Sequence, residues 1–506
     1  MNRSKLLLTV LFAIAFLGFI PTAHAQIAEG IGLSQDPLPS SSRGVAMGGS
    51  LISDATGVDA LQANPAALAP LAERDVEIGL LNRDHGSTAT FFGNASAASL
   101  DATSLGSLGI AAPFAVTQGH FAIGVSYDRA RDYTTTYSFK AVNPSSSFFN
   151  TQGFLTGYGW VPLSGTGTGN RSYLQNYDLA YALGLTYDVP DSGTYTLATP
   201  FTGGLQQSGT VTEEGGLNAV RLGGGIDIAE GVSAGATLNI LFGTYDYTMN
   251  YQEQDVNGIY AKDSLFPPAK FQQANIMTSL HQDQNGASMK FGLQVRRSIV
   301  NLGVTVETPE WMHFTESSTL TGTANFGTNG VYSSDQALNL PVYAQEYDVT
   351  TPFRFGAGAS IHLLGFTGAA SIGYQDMSQL RFSNGTADMS ALNDTIRADL
   401  GSVLSYQLGA EYVFPLIGVS LRAGYSYEPS PYKGDPSNYG ISAISGGLGI
   451  KLSKAIDLEA SLRHATYHTN HAIYNDLTPS GTAASANITD DAISRNDVSV
   501  TFSYRY

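Results

Sequence analysis

Asp497–Tyr506 reads DVSVTFSYRY, and it alternates with a period of two. Val498, Val500, Phe502, Tyr504 and Tyr506 fall on one face, Ser499, Thr501, Ser503 and Arg505 on the other. One face is apolar and ends in aromatics; the other is small, polar or charged. The same arrangement recurs at Phe121, Ile123, Val125 and Tyr127, and at Phe291, Leu293 and Val295 with Lys290, Gln294 and Arg296 opposite. Tyr177–Asp188 reads alike, with Tyr177, Leu179, Tyr181, Leu183, Leu185 and Tyr187 against Asp178, Ala180, Ala182, Gly184, Thr186 and Asp188. Ten steps of about 3.3 Å, tilted by about 40°, rise roughly 25 Å, the height of the apolar band of a membrane barrel. A soluble sandwich shares the alternation, so strand length and aromatic ends decide between them. They predict an all-β chain, a transmembrane antiparallel β-barrel of about 14 strands, or 16 if Val76–Leu100 forms a separate hairpin.

Composition narrows the class. Arg3 and Lys5, an uncharged apolar run from Leu6 to Ile20, and Ala23-His24-Ala25 before Gln26 make residues 1–25 a secretory signal peptide, too short to span as a helix. No Cys stands at the cleavage site, and the chain has none at all, so neither a lipid anchor nor a disulfide framework is expected. A formal net charge of −17 excludes the basic footprint of a nucleic-acid-binding protein. No Pro- or Ser-rich linker divides the 506 residues, so the mature chain reads as one large domain.

Connections alternate in length. Short ones are expected near Ala229-Glu230-Gly231, Arg297-Ser298, Leu364-Gly365, Pro415-Leu416 and Ser453-Lys454. Long ones are expected over about Arg131–Asn176, Asp188–Leu217, Gln252–Ser288, Thr319–Val349, Ser383–Gly401 and Asn470–Arg495. Barrels with short periplasmic turns and long outer loops show this rhythm. If Pro415-Leu416 is a two-residue turn, Phe414 pairs with Ile417 and Tyr412 with Val419. Glu411 and Arg422 then share the lumen, and they read as a structural ion pair ahead of a substrate contact.

Arg43–Ala69, RGVAMGGSLISDATGVDALQANPAALA, breaks the alternation. Its glycines permit tight turns, and Asn64-Pro65 sets a fixed dipeptide. Such a small-residue stretch is either an ordinary N-terminal loop with a short helix or a plug packed inside an enclosure. The run Arg-Gly-x-x-Met-Gly-Gly followed by Asn64-Pro65-Ala66 resembles the outer-membrane long-chain fatty-acid and hydrocarbon transporters of the FadL/TodX-like family. The runs TPEWMHFTES at Thr308–Ser317, TPFRFGAGAS at Thr351–Ser360 and Gly409–Tyr432 resemble strands of the same family. That resemblance implies a hatch over residues 26–75 gated at Asn64, Pro65 and Ala66, a barrel over 76–506, and uptake of hydrophobic molecules across the outer membrane. It leaves two alternatives, a docking subunit of a secretion apparatus and a general diffusion porin. The C-terminal strand ending on Tyr506 resembles the signal read by outer-membrane assembly machinery, which makes that machinery and membrane lipid the expected partners of a monomer.

The remaining candidates are weaker. Phe148, Phe149, Phe154, Leu155, Tyr158 and Trp160 cluster in an expected outer loop, where they capture apolar ligands, pack on a neighbouring loop or sit at the lipid surface. His464 and His468 share a strand face but stand about 13 Å apart by rise, and His471 falls on the other face, so no metal site is expected. No G-x-S-x-G elbow is present, and Gly165–Gly169 lacks the strand, helix and Lys of a phosphate loop. Neither catalysis nor a cofactor is expected.

Overall fold

The structure, a computed structural model, describes residues 30–150, 161–162, 179–191, 194–260, 270–334, 343–385, 389–477 and 483–506. The expected leader at 1–25 and the expected capture residues Phe154, Leu155, Tyr158 and Trp160 lie outside them.

Period-two segments become long antiparallel strands. The first run is β1 Asp75–Phe91, β2 Asn94–Phe114, β3 Phe121–Asp132 and β4 Thr135–Asn143. A small separate sheet follows, built from β5 Val161–Pro162, β6 Tyr187–Asp191 and β7 Thr194–Ala198. The wall resumes with β8 Leu205–Ala229, β9 Val232–Gln254, β10 Gln273–Arg297, β11 Val300–Glu307 and β12 Trp311–Asn325. Next come β13 Val331–Ser333, β14 Tyr343–Thr350, β15 Arg354–Leu363, β16 Phe366–Asp376 and β17 Arg381–Ser383. The last five are β18 Ser402–Phe414, β19 Val419–Glu428, β20 Ile441–Lys451, β21 Ile456–Leu477 and β22 Ala483–Arg505. β10 pairs first with β11 and then with β12, so these two occupy one wall position. β3 with β4, β14 with β15, and β16 with β17 do the same. Because β1 also pairs with β22, from Asp75↔Arg505 to Thr90↔Asp490, the wall closes into a barrel of 14 antiparallel positions.

Burial is inverted relative to a soluble protein. Leu222, Ile240, Leu293, Val304, Leu408, Leu448 and Phe502 point out and are exposed, whereas Arg221, Asn239, Gln294, Glu307, Glu411 and Thr501 point in and are buried. That is the pattern of a wall meeting lipid outside and polar groups inside, as in outer-membrane barrels. Among the described residues no helix is long and apolar enough to cross a membrane.

Three expectations need correction. Tyr177–Asp188 is not a wall strand: Leu179–Ala182 is a helical turn, with Leu183 N–H donating to Leu179 C=O at 2.9 Å, and only Tyr187 and Asp188 enter β6. Leu179 and Leu183 alternate at period two but also stand four apart, which suits one helix face equally well. Several expected long loops are largely strand. β9 and β10 pair continuously from Val232↔Val295 to Gln254↔Gln273, rising roughly 60 Å against a band of about 25 Å. The Pro415 turn is longer than two residues, running from Pro415 to Gly418 with Gly418 at φ 65° and Phe414 paired with Val419. A two-residue hairpin turn needs positive φ at both central residues or at the first of them, and Pro cannot supply it. The register therefore moves by two, which keeps every side chain on its face and sets Glu411 directly opposite Arg422.

Candidate functional site

The hatch sits in the lumen as a chain of short turns. Ser41 caps the helix Ser42–Ala46 by accepting from Gly44 N–H, and Asn64 caps the 3-10 turn Pro65–Leu68 by accepting from Ala66 N–H at 3.1 Å. Asn64 also donates through Nδ2 to Ile52 C=O at 2.8 Å and to Leu293 C=O on β10 at 3.2 Å, so one buried side chain ties the turn to itself and to the wall. Asn64 and Ala66 are both 0 % exposed. The wall makes room with glycine: a Cβ on Gly225 would stand 2.6 Å from Pro65 O, one on Gly235 2.5 Å from Ala66 N, and one on Gly424 2.5 Å from Met47 C.

Charge holds the other side of the hatch. Arg43 bonds Asp54 Oδ2 at 2.5 Å and Asp54 C=O at 2.9 Å, then reaches Glu411 on β18 at 3.2 Å. Glu411 is paired with Arg422 on β19, whose Nη2 continues to Glu459 on β21 at 2.8 Å. His362 on β15 meets Asp54 Oδ1 at 2.6 Å. Glu411 and Arg422 thus belong to a network crossing from wall to hatch, whose other members, Arg43, Asp54, His362 and Glu459, sequence reasoning missed; Arg43 is the one that joins the two sides. Its place in the RGVAMGG run was visible, but Glu411, its partner on the wall, lies 368 residues away in the chain.

At the N-terminal end of the hatch, residues 30–34 are helical and belong to no ladder. Arg131 Nε donates to Gly32 C=O at 3.1 Å and Arg354 Nη2 to Ser34 C=O at 3.0 Å. Ile31 and Leu33 enter an apolar compartment lined by Leu217, Leu241, Met312, Phe314, Tyr347, Val349 and Phe382 of the wall. Leu392, Ile396 and Leu400, from and beside the loop helix Ser390–Asp399, cover it.

The outer end is filled by a second apolar core. Phe148 and Phe149 are buried there, not exposed: Phe148 lies 5.0 Å from Tyr251 and 5.7 Å from Tyr474, and Phe149 lies 5.7 Å from Phe201. Phe271 and Phe326 continue the layer to β12, and Leu179, Leu183 and Leu185 join it. Buried Glu253 pins the Phe148 segment, accepting from Ser147 Oγ at 2.5 Å, Phe148 N–H and Tyr251 OH at 2.7 Å, and Gln207 Nε2 at 2.8 Å.

Between hatch and outer core lies a cavity of about 390 Å³, lined in part by Arg83, His85, Arg131, Glu213, Lys290, Glu307, Arg354 and Arg495. On one side the wall is interrupted. β3 pairs with β2 only over Ser107–Phe114, and β4 leans over the lumen face of β1, with Phe139 5.2 Å from Phe91. Among the described residues, Asn94–Gly106 of β2 therefore has a ladder to β1 alone.

The histidines take separate partners. His464 Nδ1 meets Asn496 at 2.8 Å, His468 lies 3.6 Å from Asp490, and His471 stacks on Tyr137 with ring centroids 4.2 Å apart. No group of three potential ligands suited to a metal occurs among the described residues.

A family model described as BamG matches residues 189–463, more than half of the chain. The chain belongs to the BamG family. No curated protein matches it in sequence. Among solved structures it is similar to the Pseudomonas putida toluene transporter TodX, at 12% identity, covering 93% of this chain and 99% of that one with a TM-score of 0.53. It is likewise similar to a Pseudomonas aeruginosa FadL homologue, at 11% identity, covering 93% and 98% with a TM-score of 0.52. At such identities the likeness of this BamG-family chain to FadL/TodX-like proteins is one of fold.

Proposed function

We propose that the chain is a monomeric outer-membrane channel for hydrophobic small molecules, long-chain fatty acids or aromatic hydrocarbons, with no catalytic step. The observation that carries this reading is the apolar compartment inside the lumen, occupied by Ile31 and Leu33. Their segment is tied to the wall by the Arg131 and Arg354 side chains, which donate to its carbonyls, whereas the wall strands around it are locked in ladders. A greasy ligand entering past the outer loops replaces those two side chains and then passes the hatch turn at Asn64, Pro65 and Ala66. The shared fold with a toluene transporter supports the reading. Leu33→Ala removes roughly 2 kcal/mol of apolar burial from the competing segment, so a fluorescent long-chain fatty acid binds up to about 30-fold more tightly. Fluorescence titration of the purified protein checks this. Absence of binding by both parent and variant defeats the channel reading.

A second reading, a docking platform within a secretion apparatus, is favoured by the open edge of β2. Asn94–Gly106 carries one charged residue, Asp101, and no Pro, whereas soluble edges are guarded by both. Strand addition by a partner suits such an edge. Ala97→Pro removes a backbone donor there, and proteins that co-purify with the parent in mild detergent are then lost. A partner retained at parental yield excludes pairing at this edge.

A further inference from the structure

One patch of the lumen wall carries more cation than its neighbours neutralise. Register places Arg83 and Arg463 on either side of Asp497, and His85 beside Arg495. Asp497 is 0 % exposed and meets three guanidiniums, Arg83 Nε at 2.7 Å, Arg463 Nη1 at 3.1 Å and Arg495 Nε at 3.5 Å. Arg83 continues to Asp132 at 3.6 Å, which Arg129 also meets at 3.5 Å. Four guanidiniums thus share two carboxylates, in a chain whose net charge is −17. Two of the other acids lining the cavity are engaged elsewhere: Glu213 accepts from Thr135 Oγ1 at 2.9 Å, and Glu428 from Asp36 N–H at 3.4 Å.

The same patch holds unmatched polar atoms. His85 is 2 % exposed, and neither of its ring nitrogens has a hydrogen-bond partner among the described residues. Arg495 Nε makes no hydrogen bond either, its 3.5 Å approach to Asp497 being an ion pair alone. Buried donors without acceptors are costly and uncommon. Arg83, His85, Arg463 and Arg495 all line the 390 Å³ cavity, so a ligand there would find these groups already aimed at it.

We propose that Arg463, Arg495 and His85 form a binding site for an oxyanion, a phosphate or carboxylate group. A planar guanidinium offers paired N–H donors that match the oxygens of such a group, and a neighbouring imidazole adds a third donor. The site stands on these side chains alone and does not depend on whether hydrophobic molecules pass the barrel.

Calorimetric titration of the full-length protein in non-ionic detergent tests it, with inorganic phosphate and decyl phosphate as separate probes. The parent binds at least one of them, and Arg495→Gln weakens that binding at least tenfold while keeping heat-shifted migration on gels. Arg495→Lys retains charge without the fork and gives an intermediate loss; it replaces the Gln variant if that fails to insert. Binding of both probes alike assigns a free anion, and binding of decyl phosphate alone assigns the head of an amphiphile. No heat with either probe, or equal affinity in the parent and both Arg495 variants, overturns the site.

Discussion

Arg43→Met frees the hatch while leaving the barrel intact. The guanidinium is 13% exposed and serves Asp54 and Glu411 together, one in the hatch and one in the wall. Removing one partner of a buried ion pair costs about 3–5 kcal/mol, because the remaining charge loses its counter-charge without regaining water. Glu411 keeps Arg422 and Asp54 keeps His362, which places the loss at the lower end. About 3 kcal/mol still shifts the balance of seated and unseated hatch by roughly 100-fold. The chain contains no Cys, so Ala66→Cys supplies a single reporter at a fully buried position. Maleimide labelling of that thiol should be slow in the parent background and about two orders of magnitude faster with Arg43→Met. Equal rates would show that the charge network does not hold the hatch.

Gly235→Val reaches the same state from the wall side. A Cβ at this position stands 2.5 Å from the backbone nitrogen of Ala66, and a backbone atom cannot rotate away as a side-chain tip can. Valine is favoured in strands, so the ladder of β9 tolerates it and the strain falls on the hatch. The same reporter thiol should become accessible, with parental heat-modifiability on gels. Asn64→Ala is the milder comparison. It leaves Ile52 C=O and Ala66 N–H without the Asn64 side chain, at about 1–3 kcal/mol for each that stays dry, whereas Leu293 stays in the ladders on both sides of β10. A Gly235→Val protein whose thiol stays as protected as in the parent would mean that the turn does not bear on this part of the wall.

The barrel was legible wherever lipid writes on the sequence. Within the apolar band each strand must be greasy outside and polar inside, so Val498–Tyr506 and Phe291–Val295 declare themselves. Above the band both faces meet water or polar lumen, and Thr244–Gln254 and Gln273–Gln284 no longer differ from loops in composition. Strand there is held by ladder continuity from below, a cause that local sequence does not carry. Tyr177–Asp188 misled for the converse reason, since a Leu/Ala alternation serves a helical turn as well as a strand.

The site was legible in its hatch and not in its surroundings. Asn64-Pro65-Ala66 stands in one unbroken run, whereas the glycines that accommodate it, such as Gly225 and Gly235, lie more than 150 residues downstream on inward-facing strand positions. Phe148 and Phe149 gave a true aromatic signal. Whether such rings wait for a ligand or for one another depends on Phe201, Tyr251 and Tyr474, which only the closed fold brings near.

The pairing of β1 with β22 sets an order of assembly. Asp75 and Arg505 are as far apart in the chain as almost any two residues of the wall, so their ladder is the pairing with the greatest loop-closure cost and forms late. Ser42 of the hatch already bonds Thr501 on β22, and Arg43 bonds Glu411 across the lumen. These contacts lie inside the finished ring, and the hatch, continuous with β1, meets them most directly while the two ends of the wall are still apart. We therefore expect it to be laid in while the sheet is still an open ribbon. The ribbon then rolls around it, and the hatch acts as the mandrel on which the two ends of the chain meet.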